Sequence, residues 1–548
     1  MVALLPERSW YGPDDSVGIE ILDLNEAATL EVHHLATPVT TVAIAAGTTR
    51  VDLGLLALGG YGLTLRSSGG AVLATSAVDV LADAFDRPRY GFTVQMDAET
   101  DTDAVARWFR RNHLNLGQFY DWAYRHFTLM PPADEYLDPL GQPRSLAAVN
   151  ALAVALEEAG THPLGYSAVY AIGADEVDAW QDQILYRKDG EPYRLGENFL
   201  VLVNPGDPTW LQHYGEQLAQ VIAGTKFHGF HLDQYGWPKR AYLRDGSQVD
   251  LTEAFVTMLA AIREAVPTSR FMFNNVNDFP TWATAPGPQD ASYIEVWEPH
   301  TRLQDLAILA ERTRRLRPQH PPILSAYLSC FKEDAALALN TARYDMAAIY
   351  SSGATHLLLG EDGHALVHPY YPDNVPLAAD AQDEFARWYD FLVRYGDLLL
   401  DPGVMDVTEY CTGGINEDIL VDVEGVRTST KADAGTLWTR VYRLADGGTV
   451  VHLINLTALT DTEWDAVQPA ATPLTDVRVR IVPALAEAGI WQASPDAADP
   501  SLQALSAEAV AGQEQHDALS AGQEHVAVTV PRIDYWTMLY LPAVGAAA

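Results

Sequence analysis

Eight short apolar runs, each followed by a longer amphipathic stretch, occupy the middle of this 548-residue sequence. They lie at 90–96, 114–122, 164–171, 229–234, 270–277, 292–297, 322–329 and 355–360. A short apolar run without polar alternation is what a strand buried on both faces requires. The intervening stretches repeat with helical period. In 250–266, Phe255, Met258, Leu259 and Ile262 fall on one face, and Asp250 with Glu253 forms a capping-box pattern. In 379–395, Phe385, Trp388, Tyr389 and Leu392 do the same. Strands alternating with helices over roughly 300 residues predict a (β/α)8 TIM-type barrel. An open doubly wound sheet is the rival, but no Gly-rich phosphate turn follows any of the runs.

The flanks are patterned differently. Residues 29–33, 42–45 and 61–66 alternate as half-buried strands do, with turns at Gly59-Gly60 and Gly69-Gly70. Alternation returns at 449–456, 476–482 and 525–541, broken by a polar, Ala/Gln/Glu-rich stretch at 492–523 that is expected to be a surface excursion. The expected architecture is therefore multidomain, α/β and β. An immunoglobulin-like antiparallel β-sandwich at 1–86 precedes a catalytic barrel at 87–400, and a second β-sandwich follows at 401–548.

Charge and cysteine content narrow the partners. Against 35 Lys+Arg stand 73 Asp+Glu, a net charge of −38. Such a surface repels phosphate, and no basic patch is visible, so neither nucleic acid nor an anionic membrane is an expected partner. Cys330 and Cys411 are the only cysteines, which leaves no disulfide framework and no Cys-based metal site. No metal and no cofactor are expected. No segment reaches the ~20 apolar residues of a membrane span. The first residues lack a signal peptide's basic and apolar regions, so the chain is expected to be either cytoplasmic or a mature form with its leader removed.

In a barrel, functional groups project from the C-terminal ends of the strands. Those ends here hold Gln118, Tyr120 and Asp121, then Tyr170, Asp233 with Gln234, Asn274 with Asn275, Glu295 with Trp297, Tyr327 and Glu361. Carboxylates, amides and aromatics dominate, with neither a nucleophilic Ser elbow nor a His-rich set. Sugar sites need that mixture: rings stack on the pyranose, amides bond hydroxyls, and two carboxylates do the chemistry. Asp233 is the candidate nucleophile, because an apolar run precedes it and Gly236 permits a turn just after; capping that loop is its structural alternative. Glu295 is the candidate acid, since Tyr293, Trp297 and a neighbouring carboxylate raise its pKa. Alternation puts Glu295 and Trp297 on one face, while Glu298, before Pro299, falls in the loop.

Asp121 is expected either to bond sugar hydroxyls or to pair with Arg125, and His126 either to touch ligand or to serve the fold. Asn274 and Asn275 suit a 2-hydroxyl, or a turn. His228 and His231 lie in a strand and lack metal-helix spacing. Asn455 begins a glycosylation sequon that chance also explains.

Five pieces carry a family resemblance: 118–126, 165–170, 229–236, 293–298 and 356–361, in order across the barrel. Together they resemble glycoside hydrolase family 66, the dextranases and cycloisomaltooligosaccharide glucanotransferases, and the three-part layout is similar too. The resemblance implies a retaining mechanism on a neutral α-1,6-linked glucan, dextran or isomaltooligosaccharides, with Asp233 as nucleophile and Glu295 as acid/base. The residues themselves offer Gln118, Tyr120, Asp121, His126, Tyr170, Gln234, Asn274, Asn275, Trp297, Tyr327 and Glu361 as the expected substrate contacts. Glucanotransferase members typically carry an extra carbohydrate-binding module after the seventh strand. Here only a short link separates Ser329 from Asp334, which tilts the expectation toward endo-hydrolysis, with transfer left open. The segment 170–210, with Trp180, Tyr186 and Tyr193, is the expected cleft wall. An exo-acting α-glycosidase and a non-catalytic glycan-binding protein are the alternatives.

Overall fold

The computed structural model describes residues 2–369, 374–510 and 524–545. Eight parallel strands form its centre: β1 (Tyr90–Thr93), β2 (Leu116–Phe119), β3 (His162–Ala168), β4 (Gly229–Asp233), β5 (Arg270–Asn274), β6 (Ala291–Glu295), β7 (Ile323–Ser325) and β8 (Thr355–His356). They pair in chain order. A parallel bridge from Phe92 to Gly360 brings the last segment back to the first, giving a nearly closed (β/α)8 barrel. Each apolar run is longer than its strand. The surplus at the C-terminal end becomes loop, and several of those loop residues join the strand ends in lining the cleft described below.

Local chemistry explains the helices between strands. Asp207 accepts from the N–H groups of Thr209 (2.9 Å) and Trp210 (3.1 Å), and Pro208 starts the helix Pro208–Gly224. Asp250 caps Leu251–Ala265 by accepting the Thr252 N–H at 2.9 Å, not through the reciprocal box expected with Glu253. Phe255, Met258, Leu259 and Ile262 are buried against the barrel, as their spacing requires. Gly229 opens β4 where β5 passes so closely that a Cβ would lie 1.6 Å from the Arg270 carbonyl oxygen.

Antiparallel sheets flank the barrel. On the N-terminal side, a four-stranded sheet carrying Leu30, Val32, Leu63 and Leu65 shares one apolar cluster with a three-stranded sheet carrying Ile19 and Ile21. On the C-terminal side, Val451, Leu453 and Leu539 of a seven-stranded sheet cluster with Val477, Val479 and Val528 of a four-stranded one. The seven-stranded sheet includes one parallel pair, Arg427–Ser429 with Thr436–Arg443.

The stretch expected as a surface excursion is tied into the fold as far as Ser501 and is mostly exposed from Gln503 to Ala509. Trp491–Ala493 is a strand paired antiparallel with Trp536–Leu541. Beyond it, Asp499 pairs with Arg66 (2.6 Å), Ser501 accepts from Arg394 (2.8 Å), and the Pro500 carbonyl accepts from Tyr395 (2.6 Å). Side chains and one carbonyl here bind guanidinium and hydroxyl groups of the other two regions, which composition alone does not reveal; residues 511–523 lie outside the described residues. Asn455 is fully buried, donating to the carbonyls of Thr472 and Asp534 at 2.8 Å each, so in this fold its sequon is closed to glycosylation.

Candidate active site

At the C-terminal ends of β3 to β6, four side chains form one hydrogen-bonded unit. Asp233 is the last residue of β4, Asn274 of β5 and Glu295 of β6. The Asn274 Nδ2 donates to Asp233 Oδ1 at 2.7 Å and to Glu295 Oε2 at 2.9 Å. Tyr166, from β3, donates its hydroxyl to Asp233 Oδ2 at 2.8 Å. Because one nitrogen bonds both carboxylates, their bonded oxygens lie no farther apart than those two bonds laid end to end. That is close to the about 5–5.5 Å of a retaining pair and short of the about 6.5–9.5 Å of an inverting one.

Below this unit the barrel interior is aromatic. His231 precedes Asp233 by two residues and so shares its face; its Nδ1 lies 3.1 Å from the Tyr90 hydroxyl. Tyr293 meets the His231 ring edge-on, with centroids 4.7 Å apart, and its hydroxyl is 3.3 Å from that of Tyr327. Burial holds the His231 pKa down to about 3, so the imidazole is neutral. Above the unit opens a cleft of ≈ 350 Å³, whose walls include Tyr120, Tyr166, Trp237, Asn277, Trp297 and His368.

Burial raises the pKa of both carboxyl groups above the ordinary carboxylate range. For Glu295 the negative charge of Asp233 adds to burial, opposed by hydrogen bonds from Asn274 and the Trp297 side chain. For Asp233, bonds from Asn274, Tyr166 and the Gln234 backbone pull back against burial. Asp233 receives more hydrogen bonds than Glu295, and Glu295 also feels the Asp233 charge, an environment that favours the anion on Asp233 and the proton on Glu295. No cation shares their immediate surroundings among the described residues.

The expected contacts divide into two sets. Gln118, Tyr120, Gln234, Asn274, Trp297 and Tyr327 line the cleft with Asp233 and Glu295. Tyr170, Asn275, Glu361, Asp121 and His126 do not. Asn275 donates to the carbonyls of Phe273 and Tyr293 and accepts from Thr284, so both ends of its amide serve the β5 and β6 loops. Tyr170 donates to the Trp237 carbonyl at 2.7 Å and accepts from the Tyr235 N–H at 3.1 Å, fixing the loop after β4. Glu361 accepts the N–H groups of Val94 (3.0 Å) and Gln95 (2.9 Å), joining the last strand segment to the first.

Asp121 is buried with φ 45°, and burial with the nearby Asp138 pushes its pKa up to about 8 against the pull of Arg144. Arg125, the partner expected for it, bonds the Tyr124 and Leu137 carbonyls instead. His126 is buried edge-on to Phe199, and burial holds its pKa down to about 4. Glu298 is exposed, as its place before Pro299 predicts.

Of the expected wall, Leu195 lines the cleft and Tyr193 packs on Trp237 with centroids 5.9 Å apart. Trp180 packs instead on Trp210 and His213. Tyr166, His231, Asn277, Trp237 and His368 were not among the expected site residues. For His231 the signal was present, two positions before Asp233 on one face of a strand. For Tyr166 it was masked, because β3 ends at Ala168 and not at Tyr170. His228, also expected in the strand, lies just before β4 and pairs with His162 (2.5 Å) and Glu157 (3.1 Å) at the opposite end of the barrel.

Comparison with known proteins identifies the family and the fold. The model of glycosyl hydrolase family 66 matches residues 6–540. Two cycloisomaltooligosaccharide glucanotransferases of Niallia circulans are 22% and 21% identical, covering 85% and 98% of this chain. The chain spans 63% and 71% of their lengths, and the alignments, over 624 and 706 residues, exceed its own 548, so both relatives carry segments that it lacks. Among solved structures, a cycloisomaltooligosaccharide glucanotransferase of Paenibacillus sp. complexed with cycloisomaltoheptaose superposes with a TM-score of 0.86 at 19% identity, covering 98% of this chain and 100% of that one. A noncanonic maltogenic alpha-amylase of Thermotoga neapolitana reaches 0.50 at 9% identity, over 83% of this chain and 99% of its own. At those identities the structural likeness speaks to fold; the family match rests on the whole length of the sequence. The chain belongs to glycosyl hydrolase family 66.

Proposed function

We propose that the chain is a retaining, endo-acting glycoside hydrolase that cleaves α-1,6-glucosidic linkages of dextran or isomaltooligosaccharides. The observation that carries this reading is the Asp233–Asn274–Glu295 unit, two closely spaced carboxyl groups with unequal environments. Asp233 attacks the anomeric carbon while Glu295 gives its proton to the leaving 6-oxygen, so one carbon–oxygen bond forms as another breaks. Water then attacks the same carbon, Glu295 takes its proton, and Asp233 departs as carboxylate. Two inversions leave the configuration retained. Gln118, Tyr120, Trp297 and Tyr327 hold the sugar, and a neutral substrate suits a chain of net charge −38. In the same proposal, 1–86 and 401–548 are β-sandwich domains bracketing a catalytic domain at 87–400.

A second reading, cyclising glucan transfer, is favoured by the names of the relatives: a sugar 6-hydroxyl then replaces water in the second step. Against it stands the link after β7, where the helical turn Ser329–Lys332 leads straight to Asp334, the cap of the helix Ala335–Tyr350. The test is incubation with dextran, pullulan and cyclic isomaltooligosaccharides followed by product chromatography and a reducing-sugar assay. The hydrolase reading expects mixed linear oligomers from dextran with rising reducing ends. Cyclic products without new reducing ends select transfer, a single small sugar selects exo action, and an unchanged glucan removes the enzymatic reading.

A further inference from the structure

Asn277 and Asp278, in the loop after β5, both sit in the left-handed region, with φ 51° and 63°. Each such residue costs on the order of 1 kcal/mol or more, and Asn and Asp are the L residues that tolerate it best. Two consecutive cases persist only where surrounding bonds hold them, and here both side chains are held. Asp278 is buried and paired with Arg312 at 2.7 Å. The Asn277 Oδ1 accepts the Trp297 N–H at 2.7 Å, and its Nδ2 donates to the Glu298 carbonyl at 2.8 Å.

Those two bonds grip the backbone just beyond β6. Trp297 then reaches the cleft, which it lines together with Glu295, its ring 5.9 Å from Tyr327 and 6.2 Å from His368; its side chain also favours the Glu295 anion, working against burial. Glu295 itself is restrained by Asn274 and by the neighbouring backbone bond from the Val296 N–H to the Ser325 carbonyl. Asn277 therefore stands one step from the acid/base candidate, through Trp297, two residues beyond Glu295 and lining the same cleft.

We propose that Asn277 is a positioning residue: its amide clamps the backbone at Trp297 and Glu298 and, through Trp297, fixes the Glu295 carboxyl against the scissile oxygen. This rests on the assignment of Glu295 as acid/base. The strained backbone orients the amide, and the amide does the positioning. A turn-forming role predicts that glycine, free of left-handed strain, replaces Asn277 without loss. A clamping role predicts that glycine fails as alanine does.

The experiment compares Asn277→Ala, Asn277→Gly and Asn277→Asp with wild type on dextran, measuring kcat and KM across pH, with Glu295→Gln as control. The expected result is that Ala and Gly each lower kcat by about 10- to 100-fold, the range a small misplacement of a catalytic group produces. Both should move the alkaline limb upward, since a displaced Trp297 no longer favours the Glu295 anion. Asp keeps the acceptor for the Trp297 N–H but sets an oxygen against the Glu298 carbonyl, so it should lose activity too. A Gly variant with wild-type kcat and alkaline limb overturns the proposal, as does an Asp variant at full activity. Failure of the underlying assignment looks different: Glu295→Gln itself remains active. Asn277→Gly relieves strain, so thermal melting of that variant separates lost positioning from lost folding.

Discussion

At the floor of the barrel, Asp79 is wholly buried between Arg87 and Arg89, each at 2.8 Å. At the mouth, Asp233 and Glu295 face one another across an uncharged amide. Near the floor pair, Asp397 accepts from Arg87 (2.5 Å), Gly60 (2.8 Å) and His34 (3.1 Å). Burial alone would raise its pKa, but the Arg87 charge and these bonds hold it well below the usual carboxylate range. Asp233 is shifted the other way. Both ends bury carboxyl groups, and what differs is the compensating cation. Where it is present the group locks the barrel to its flanking sheet. Where it is absent, neutral hydrogen-bond donors alone hold the charge, which is what the proposed reagent requires.

The strongest way to break this contrast is at the mouth. Asp233→Asn should lower turnover on dextran by about ten-thousandfold or more, as loss of a nucleophile does; near-normal turnover would sink its assignment. Glu295→Gln should cost about 10²–10⁴-fold, with partial recovery on substrates whose leaving group needs no proton. The same two groups set the pH profile. Asp233 must be ionised and its pKa is raised, so the acid limb should lie above the about 3.9 of an ordinary Asp. Glu295 must be protonated and its pKa is raised, so activity should survive past the about 4.3 of an ordinary Glu and fall as pH rises through the shifted value. A profile with both limbs at ordinary carboxylate values contradicts the sorting.

Asp79→Asn tests the floor. It leaves Arg89, fully buried, without its carboxylate, and breaking a buried pair costs about 3–5 kcal/mol. Denaturant or thermal melts should show that loss, while the folded fraction keeps its kcat. Wild-type stability would place the barrel–flank contact elsewhere, with Arg394, which donates to the Leu63 carbonyl at 3.0 Å, as the next suspect.

Sequence patterning reached the barrel because strands buried on both faces must be apolar, and it placed Asp233 and Glu295 at strand ends, where the structure has them. It placed Tyr170, Asn275 and Glu361 in the cleft for the same reason, and there it lacked resolution. One residue of offset decides whether a polar side chain faces a ligand or a neighbouring backbone. Asn274 and Asn275 show this: adjacent and identical, one bridges two carboxyl groups and the other bonds two carbonyls. Asn277 escaped notice for a different reason. Its partners are backbone atoms some twenty residues away, which no local pattern marks. Likewise the polarity of 494–501 concealed contacts to Arg66 and Arg394 that only the assembled fold supplies.

The smallest effect concerns stability at the mouth, where the contrast predicts a sign. The folded state raises the Asp233 pKa above its unfolded value, so native protein holds that proton more tightly. Its contribution is favourable below the unfolded pKa of about 3.9 and is lost as pH rises through the shifted value. Asp397 has the opposite slope: its contribution is present above that pKa and disappears as pH falls through its lowered one. Asp233→Asn removes a charge that burial penalises and keeps the shape. At pH 7 it should therefore stabilise the fold by about 0.5–2 kcal/mol while destroying activity, and the gain should vanish near pH 3, where the wild-type carboxyl is already neutral. Melting curves at the two pH values check it. A loss at pH 7 would mean that the Asn274 and Tyr166 bonds outweigh burial, and that the carboxylate is held in place for stability as the floor pair is.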